Sequence, residues 1–410
     1  MRKSWVLISM LNFFIAAVMG LLLRAVFVWE LNWLDYKNML HGHSHVALLG
    51  WLYIGFFLMI HGRFLSKEMA SKPIYSWLFW LTQMAVTGMM VAFPLQGYAG
   101  FSIFFSSLHI LLSYLFVFRV WKDHNKEDVQ ITLLLKTALS LLVLSTLGVW
   151  AVAVIMGSGG GGGILYQVAI QFYLHFQFNG WLLFALLTLV LKDFKPVIPW
   201  SGFRIVYWLI LSSQILTFAL VLFWAYKWNW AYYINAVGVV IQLVGLGAIL
   251  FSKKIAAQKP SLSFSSVAKQ FLMLALIVGL IRVAFQTLLV VPVLAEMAVF
   301  LRVFIIGFIH LNMLGLFSAY LMFSFFNTYA SGSSEDVLKP AIWPFYLGFI
   351  GSEMLLFAQG FYIWQKWGTL TYFHEGMFLL SCFLPLGIFI YMYLFHRNSH
   401  NGVEMLSIEV

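Results

Sequence analysis

Only one cysteine, Cys382, stands in the 410-residue chain, and it lies in an apolar run. A single thiol excludes an intramolecular disulfide framework and a thiolate metal cluster. Any metal must then be held by histidine or oxygen ligands. Charge is equally scarce: 9% of residues are Asp, Glu, Lys or Arg, against roughly a quarter in soluble proteins. With 62% hydrophobic residues and a mean hydropathy of +0.92, too few charges remain to clothe an aqueous surface. The surrounding solvent must be largely lipid. The formal charge of +10 would suit nucleic acid, but the basic residues fall in short clusters between apolar runs. They read as topology signals, and no nucleic-acid partner is expected. The run Ser158 to Gly163 (SGGGGG) has no strand before it and no Lys-Ser/Thr after it, so it is a flexible outer loop and no phosphate cradle.

What the chain has in abundance is apolar runs long enough to cross a bilayer, which takes about 20 residues each. Twelve spans are predicted, at 5–29, 41–60, 74–95, 99–121, 132–156, 164–191, 203–226, 231–251, 267–291, 297–326, 341–364 and 372–395. The first is too long for a signal peptide and shows no small-residue cleavage site. Eighteen lysines and arginines gather at the N-terminus and in alternate connections, against Lys37, Lys227 and Lys366 on the other side. The positive-inside rule therefore predicts cytoplasmic termini in a cell inner (cytoplasmic) membrane protein. The reading is one all-α integral membrane domain over 1–396, solvated by the lipid bilayer, with a cytoplasmic tail at 397–410.

Seven of the eleven histidines, His41, His43, His45, His109, His175, His310 and His374, fall in even-numbered spans, which run from outside to inside. At about 1.5 Å per residue, His109, His175 and His310 sit roughly 15 Å deep, with the other four nearer the outer surface. His61, His124, His396 and His400 read as solvated residues at the cytoplasmic side. An imidazole in lipid is costly and points to function, although interhelical hydrogen bonding is the plain alternative for any one of them.

The sequence around three of these histidines repeats. His45 opens HVALLGWL, His175 opens HFQFNGWL and His310 opens HLNMLGLF, each with a glycine five residues on, at Gly50, Gly180 and Gly315. They lie in spans 2, 6 and 10, so the period is four helices. Each glycine admits either a flat ligand or close helix packing. Arg24, Arg282 and Arg302 reach the same level of their spans, and guanidinium forks suit carboxylates. Imidazoles at one depth beside arginines are what haem iron and its propionates require. Snorkelling of Arg24 and Arg302, and pairing of Arg282 with Glu296, are the alternatives.

Twelve spans, a four-helix period and histidines in spans 2, 6 and 10 resemble the catalytic subunit of the haem-copper oxidase and nitric oxide reductase superfamily. HSHVALLGW at 43–51 looks like that family's histidine pair. IHLNMLGLF at 309–317 is similar to a motif of the NnrS family of haem and copper membrane proteins. The resemblance implies three four-helix arcs, one or two haem b groups, copper as a further option, and a role in respiratory redox or nitric oxide metabolism. It implies His45 and His310 as a first axial pair, and His175 with His109 or His374 for a second haem or a metal ion. His41 and His43, about 200° apart on a helix, leave one of them for copper or for closing the site. Span 7 lacks the family's histidine pair, Asn179 stands where the commonest oxidases have tyrosine, and span 10 has one histidine. The standard active-site copper ligands are therefore missing, and whether the chain is an oxidoreductase is left open. No CxxCH motif is present, so electrons would come from quinol or a separate donor protein. Two other classes remain: a proton- or cation-coupled transporter with Glu353 as carrier, and a haem or copper assembly factor using His374 and Glu375.

Overall fold

The structure is a computed structural model that describes residues 2–125, 128–194, 198–250, 264–329 and 335–406. Among these residues the chain is helical throughout, with no β-strand. Its long helices are α1 (Lys3–Ala25), α2 (Tyr36–Phe64), α3 (Pro73–Gln96), α4 (Gly100–Asp123), α5 (Val129–Gly157), α6 (Ile164–Phe194), α7 (Trp200–Tyr226), α8 (Asn229–Leu250), α9 (Ser266–Leu288), α10 (Arg302–Thr328), α11 (Glu335–Trp364) and α12 (Phe373–Leu406). Eleven of them are, over the described residues, long and apolar enough to cross a membrane. Of the basic clusters, Lys126, Lys195, Lys253, Lys254 and Lys259 lie outside the described residues, as does the chain end from Ser407.

Each predicted span falls on one of these helices, and several boundaries move, most of all the end of α12, which runs to Leu406 where residue 395 was expected. Helix α1 stops at Ala25 rather than residue 29. Helix α2 starts at Tyr36, before its apolar run, because the Asp35 carboxylate accepts the Asn38 N–H at 2.7 Å and caps it. Helix α10 starts at Arg302, since Pro292–Phe300 forms a short helix of its own. The earlier start of α2 moves its histidines along the helix. His45, His109, His175 and His310 then stand about 12–17 Å from the N-terminal ends of α2, α4, α6 and α10.

The chain forms two compact units. Unit 1 holds Met1–Phe116, Phe264–Gly279 and Leu301–Val410; unit 2 holds Val117–Ser263 and Leu280–Phe300. The core of unit 1 is aromatic. Trp5 of α1 stacks on Phe79 of α3 at 4.3 Å, and Phe13 stacks on Trp51 of α2 at 4.4 Å. In unit 2, α5 and α6 pack nearly backbone to backbone. A Cβ at Gly148 would lie 2.5 Å from the Ala169 carbonyl, so only glycine fits there.

The repeat seen in sequence has a structural counterpart. Directly after His45, His175 and His310 the helix widens into a π-helical segment, at Val46–Tyr53, Phe176–Leu182 and Leu311–Ser318. Such turns are rare and concentrate at functional sites. In an α-helix residues five apart point about 140° apart; the wider turn reduces that angle. In unit 1 two of the segments touch. Trp51 donates its indole N–H to Ser318 Oγ at 2.7 Å, and Ser318 donates to the Met313 carbonyl five residues back. The Gly50 carbonyl accepts from Asn12 Nδ2 at 2.9 Å, so a backbone acceptor released by the wide turn is satisfied by α1.

Candidate functional site

On the α1 side of α2, residues Ala16, Gly20 and Arg24 stand four apart and so share one stripe of α1. This stripe offers a carbonyl, a notch and a guanidinium. The His43 ring seats on Gly20, where an added Cβ would fall 2.9 Å from it, and His43 Nδ1 bonds the Ala16 carbonyl at 2.8 Å. Nδ1 must be the protonated nitrogen in that bond, which leaves the Nε2 lone pair unspent. His310 of α10 lies within electrostatic reach of both His43 and Arg24. Its Nδ1 stands 3.8 Å from Glu353 Oε1 of α11. Glu353 is 5% exposed, and neither of its oxygens accepts a hydrogen bond, though Arg24 acts on it electrostatically.

A second group lies on the α3 side of α2. His45 Nδ1 bonds the His41 carbonyl at 2.8 Å, and its ring packs on Phe93 of α3 at 4.2 Å. His109 of α4 is buried, bonds the Leu49 carbonyl, and meets the Tyr53 ring at 4.6 Å with Nε2 unpartnered. His45 and His109 also sense each other electrostatically. His41 leans on Tyr98 at 4.7 Å.

His175, in unit 2, is different because both ring nitrogens are engaged. Nε2 meets the Gln214 carbonyl of α7 at 2.7 Å, and Nδ1 meets Asn179 Nδ2 at 3.1 Å. Since a carbonyl only accepts, Nε2 is the donor and Nδ1 the acceptor. No nitrogen is then left to ligate a metal, and the plain alternative of an interhelical hydrogen bond describes this residue. Asn179 turns its oxygen to Arg282, which is 3% exposed.

The site residues expected from sequence therefore sort into separate groups. His310 senses His43 electrostatically, and His45 was its expected partner. Arg24 joins that group, while Arg302 is exposed. His374 is exposed and stacks on Phe27 at 4.9 Å, so it joins neither His175 nor His109 in any contact described. The bond of Arg282 goes to Asn179, and Glu296 is exposed. Gly50, Gly180 and Gly315 are faced by Val86, Leu141 and Phe349 at 2.4–3.2 Å from an added Cβ, so side chains of neighbouring helices fill all three notches. His61 and His124 were read as solvated, but each is 5% exposed and bonded to backbone carbonyls, His61 to Ala70 and His124 to Val120. Among the described residues, no three or more His, Cys, Asp and Glu side chains stand where one metal ion could take them all.

Sequence reasoning passed over Gly20, which seats His43. It weighed Glu353 only as a proton carrier, not as a neighbour of His310. It also missed a cavity of about 650 Å³ between α3 and α4, lined by Trp80, Gln83, Met84, Phe101 and Phe105, which no histidine lines. The spacing of Ala16, Gly20 and Arg24 is the signal that was available for the first. Neither a family model nor a curated protein matches this chain.

Proposed function

We propose that the chain is a multi-pass redox protein that binds haem b, which His43 and His310 would hold by their imidazoles and Arg24 by a propionate. The carrying observation is the donor set. His43 turns Nδ1 to the Ala16 carbonyl and thereby frees Nε2, and His310, on a helix joined to α2 by the Trp51–Ser318 bond, has the Glu353 carboxylate 3.8 Å from its Nδ1. Metal-bound histidines commonly show this pattern, in which the second nitrogen donates to a carbonyl or carboxylate. The residues present thus fit the group. Bound haem would supply one-electron transfer. The residues of the chain do the rest: Gly20 and Ala16 fix the His43 ring, Glu353 stands as a carboxylate beside His310, and Arg24 balances carboxylate charge. His45 and His109 form a second imidazole pair for a further haem.

This reading adopts twelve spans in three arcs of four helices, cytoplasmic termini, an inner-membrane location and kinship with the haem-copper oxidase superfamily. Electrons would come from quinol or a separate donor protein. A copper centre is not carried forward, because among the described residues no three such side chains gather around one point. Transport is the second reading, favoured by Glu353, an intramembrane carboxylate beside Arg24 and His310.

The test is an absorption spectrum of purified protein, oxidised and dithionite-reduced, with iron analysis of the same sample. A Soret band, sharp reduced α bands and one or two irons per chain support the haem reading. Colourless, iron-free protein from haem-replete cells removes it and leaves transport.

A further inference from the structure

Of the fourteen acidic residues in the chain, Glu353 alone stands in the middle of a long helix. The others lie in connections, in the terminal turns of long helices or beyond His396. Glu353 belongs with Arg24 and His310 in unit 1. Arg282, inside α9 in unit 2, is a buried cation that no acidic side chain pairs with among the described residues. Its Nε has no hydrogen-bond partner. A buried charge without a counter-charge is strongly disfavoured, and more so in a lipid-surrounded bundle.

The neighbouring polar groups are arranged in one direction. The Gln214 carbonyl of α7 accepts from His175 Nε2, which makes His175 Nδ1 an acceptor. That acceptor takes an N–H of Asn179, and this leaves the Asn179 oxygen for an Nη–H of Arg282. Asn179 lies in the π-helical segment of α6, so the wide turn is what aims it. One turn beyond Arg282 on α9, Gln286 is buried and held by Gln242 of α8 at 2.9 Å. The relay therefore orients the guanidinium with a single neutral partner and leaves its buried Nε without a hydrogen-bond acceptor.

We propose that Arg282 anchors a site inside unit 2 for a small planar oxyanion of the carboxylate or nitrate class. The guanidinium fork matches the spacing of two oxygens on such an ion, and a round halide matches it less well. Asn179 and His175 are positioning residues. The site is independent of the haem site and uses none of its residues.

The experiment is thermal unfolding of the purified full-length protein in detergent, titrated with sodium formate, nitrate or chloride. Sodium and ionic strength are held constant with a bulky sulfonate. The expected result is a saturable rise of several degrees with formate or nitrate, a smaller one with chloride, and none in Arg282→Gln. Without anion, Arg282→Gln should melt at or above the wild type, because an unpaired buried charge has been removed. Should that variant fail to fold, Asn179→Asp serves, since an internal carboxylate should occupy the guanidinium and abolish the formate response. No anion-specific rise in wild type, or an equal rise in Arg282→Gln, overturns the proposal. So does an unresponsive wild type combined with lost haem absorption in Arg282→Gln, which would assign the guanidinium to a cofactor carboxylate.

Discussion

His43 and His45 stand two residues apart on α2 and turn to different helices: His43 rests on Gly20 of α1, and His45 packs on Phe93 of α3. One helix thus serves two imidazole groups. Of the two, His43 is the one that His310 of α10 senses electrostatically.

That division predicts distinct spectra for neighbouring variants. His43→Ala and His310→Ala should each lose the same low-spin α band, while His45→Ala keeps it and alters at most a second component. Reduced-minus-oxidised difference spectra at matched protein levels check this. Loss of one band by His45→Ala and His310→Ala, with His43→Ala unchanged, would reverse the assignment.

Glu353 should tune the haem through His310. In Glu353→Gln the band should persist while the midpoint potential rises by about 60–120 mV. A carboxylate beside a metal-bound histidine is worth roughly 10–100-fold, and a one-electron couple shifts about 59 mV per tenfold. Glu353→Asp should recover part of the shift. A potentiometric titration with no change on Glu353→Gln would show that the carboxylate does not act on His310.

Gly20 is the seat of His43. Gly20→Val pushes branched carbon into a ring that an added Cβ already meets at 2.9 Å. Haem content should fall to that of His43→Ala while the protein still elutes as a monodisperse peak. Full occupancy in the valine variant would mean that the ring does not sit there.

The Trp51–Ser318 bond should be measurable as a coupling. Trp51→Phe and Ser318→Ala should each destabilise by about 1–2 kcal/mol, and the double variant by less than their sum. Strict additivity in thermal or denaturant unfolding would count against the link.

His175 has no nitrogen to spare. His175→Ala should leave absorption unchanged and lower the melting temperature, because the Gln214 carbonyl and the Asn179 amide lose their partners. A lost haem band in that variant would restore it as a ligand.

Much of the fold was legible because lipid demands long apolar helices, and hydropathy records that demand directly. The edges were less so. The Asp35 cap extends α2 through polar residues that hydropathy reads as a loop. At the site, the repeated His-x4-Gly spacing located the three special turns but not their shape, since a π-helical turn leaves no mark in composition. The partners that decide each histidine's role are mostly backbone carbonyls, of Ala16, His41, Leu49 and Gln214, and a carbonyl has no letter in the sequence. Thus the His43 and His45 faces were separable from spacing alone, while the partner of each was not.

A π-helical turn holds one more residue than the helix needs. Removing Ala47 from α2 would let the ordinary ladder close, at the expense of turning everything before it by about 100° relative to Trp51. His41, His43 and His45 would swing together away from their present neighbours, with every side chain intact. The extra residue works as a phase setting, and a one-residue deletion there should do more damage to the site than to the fold.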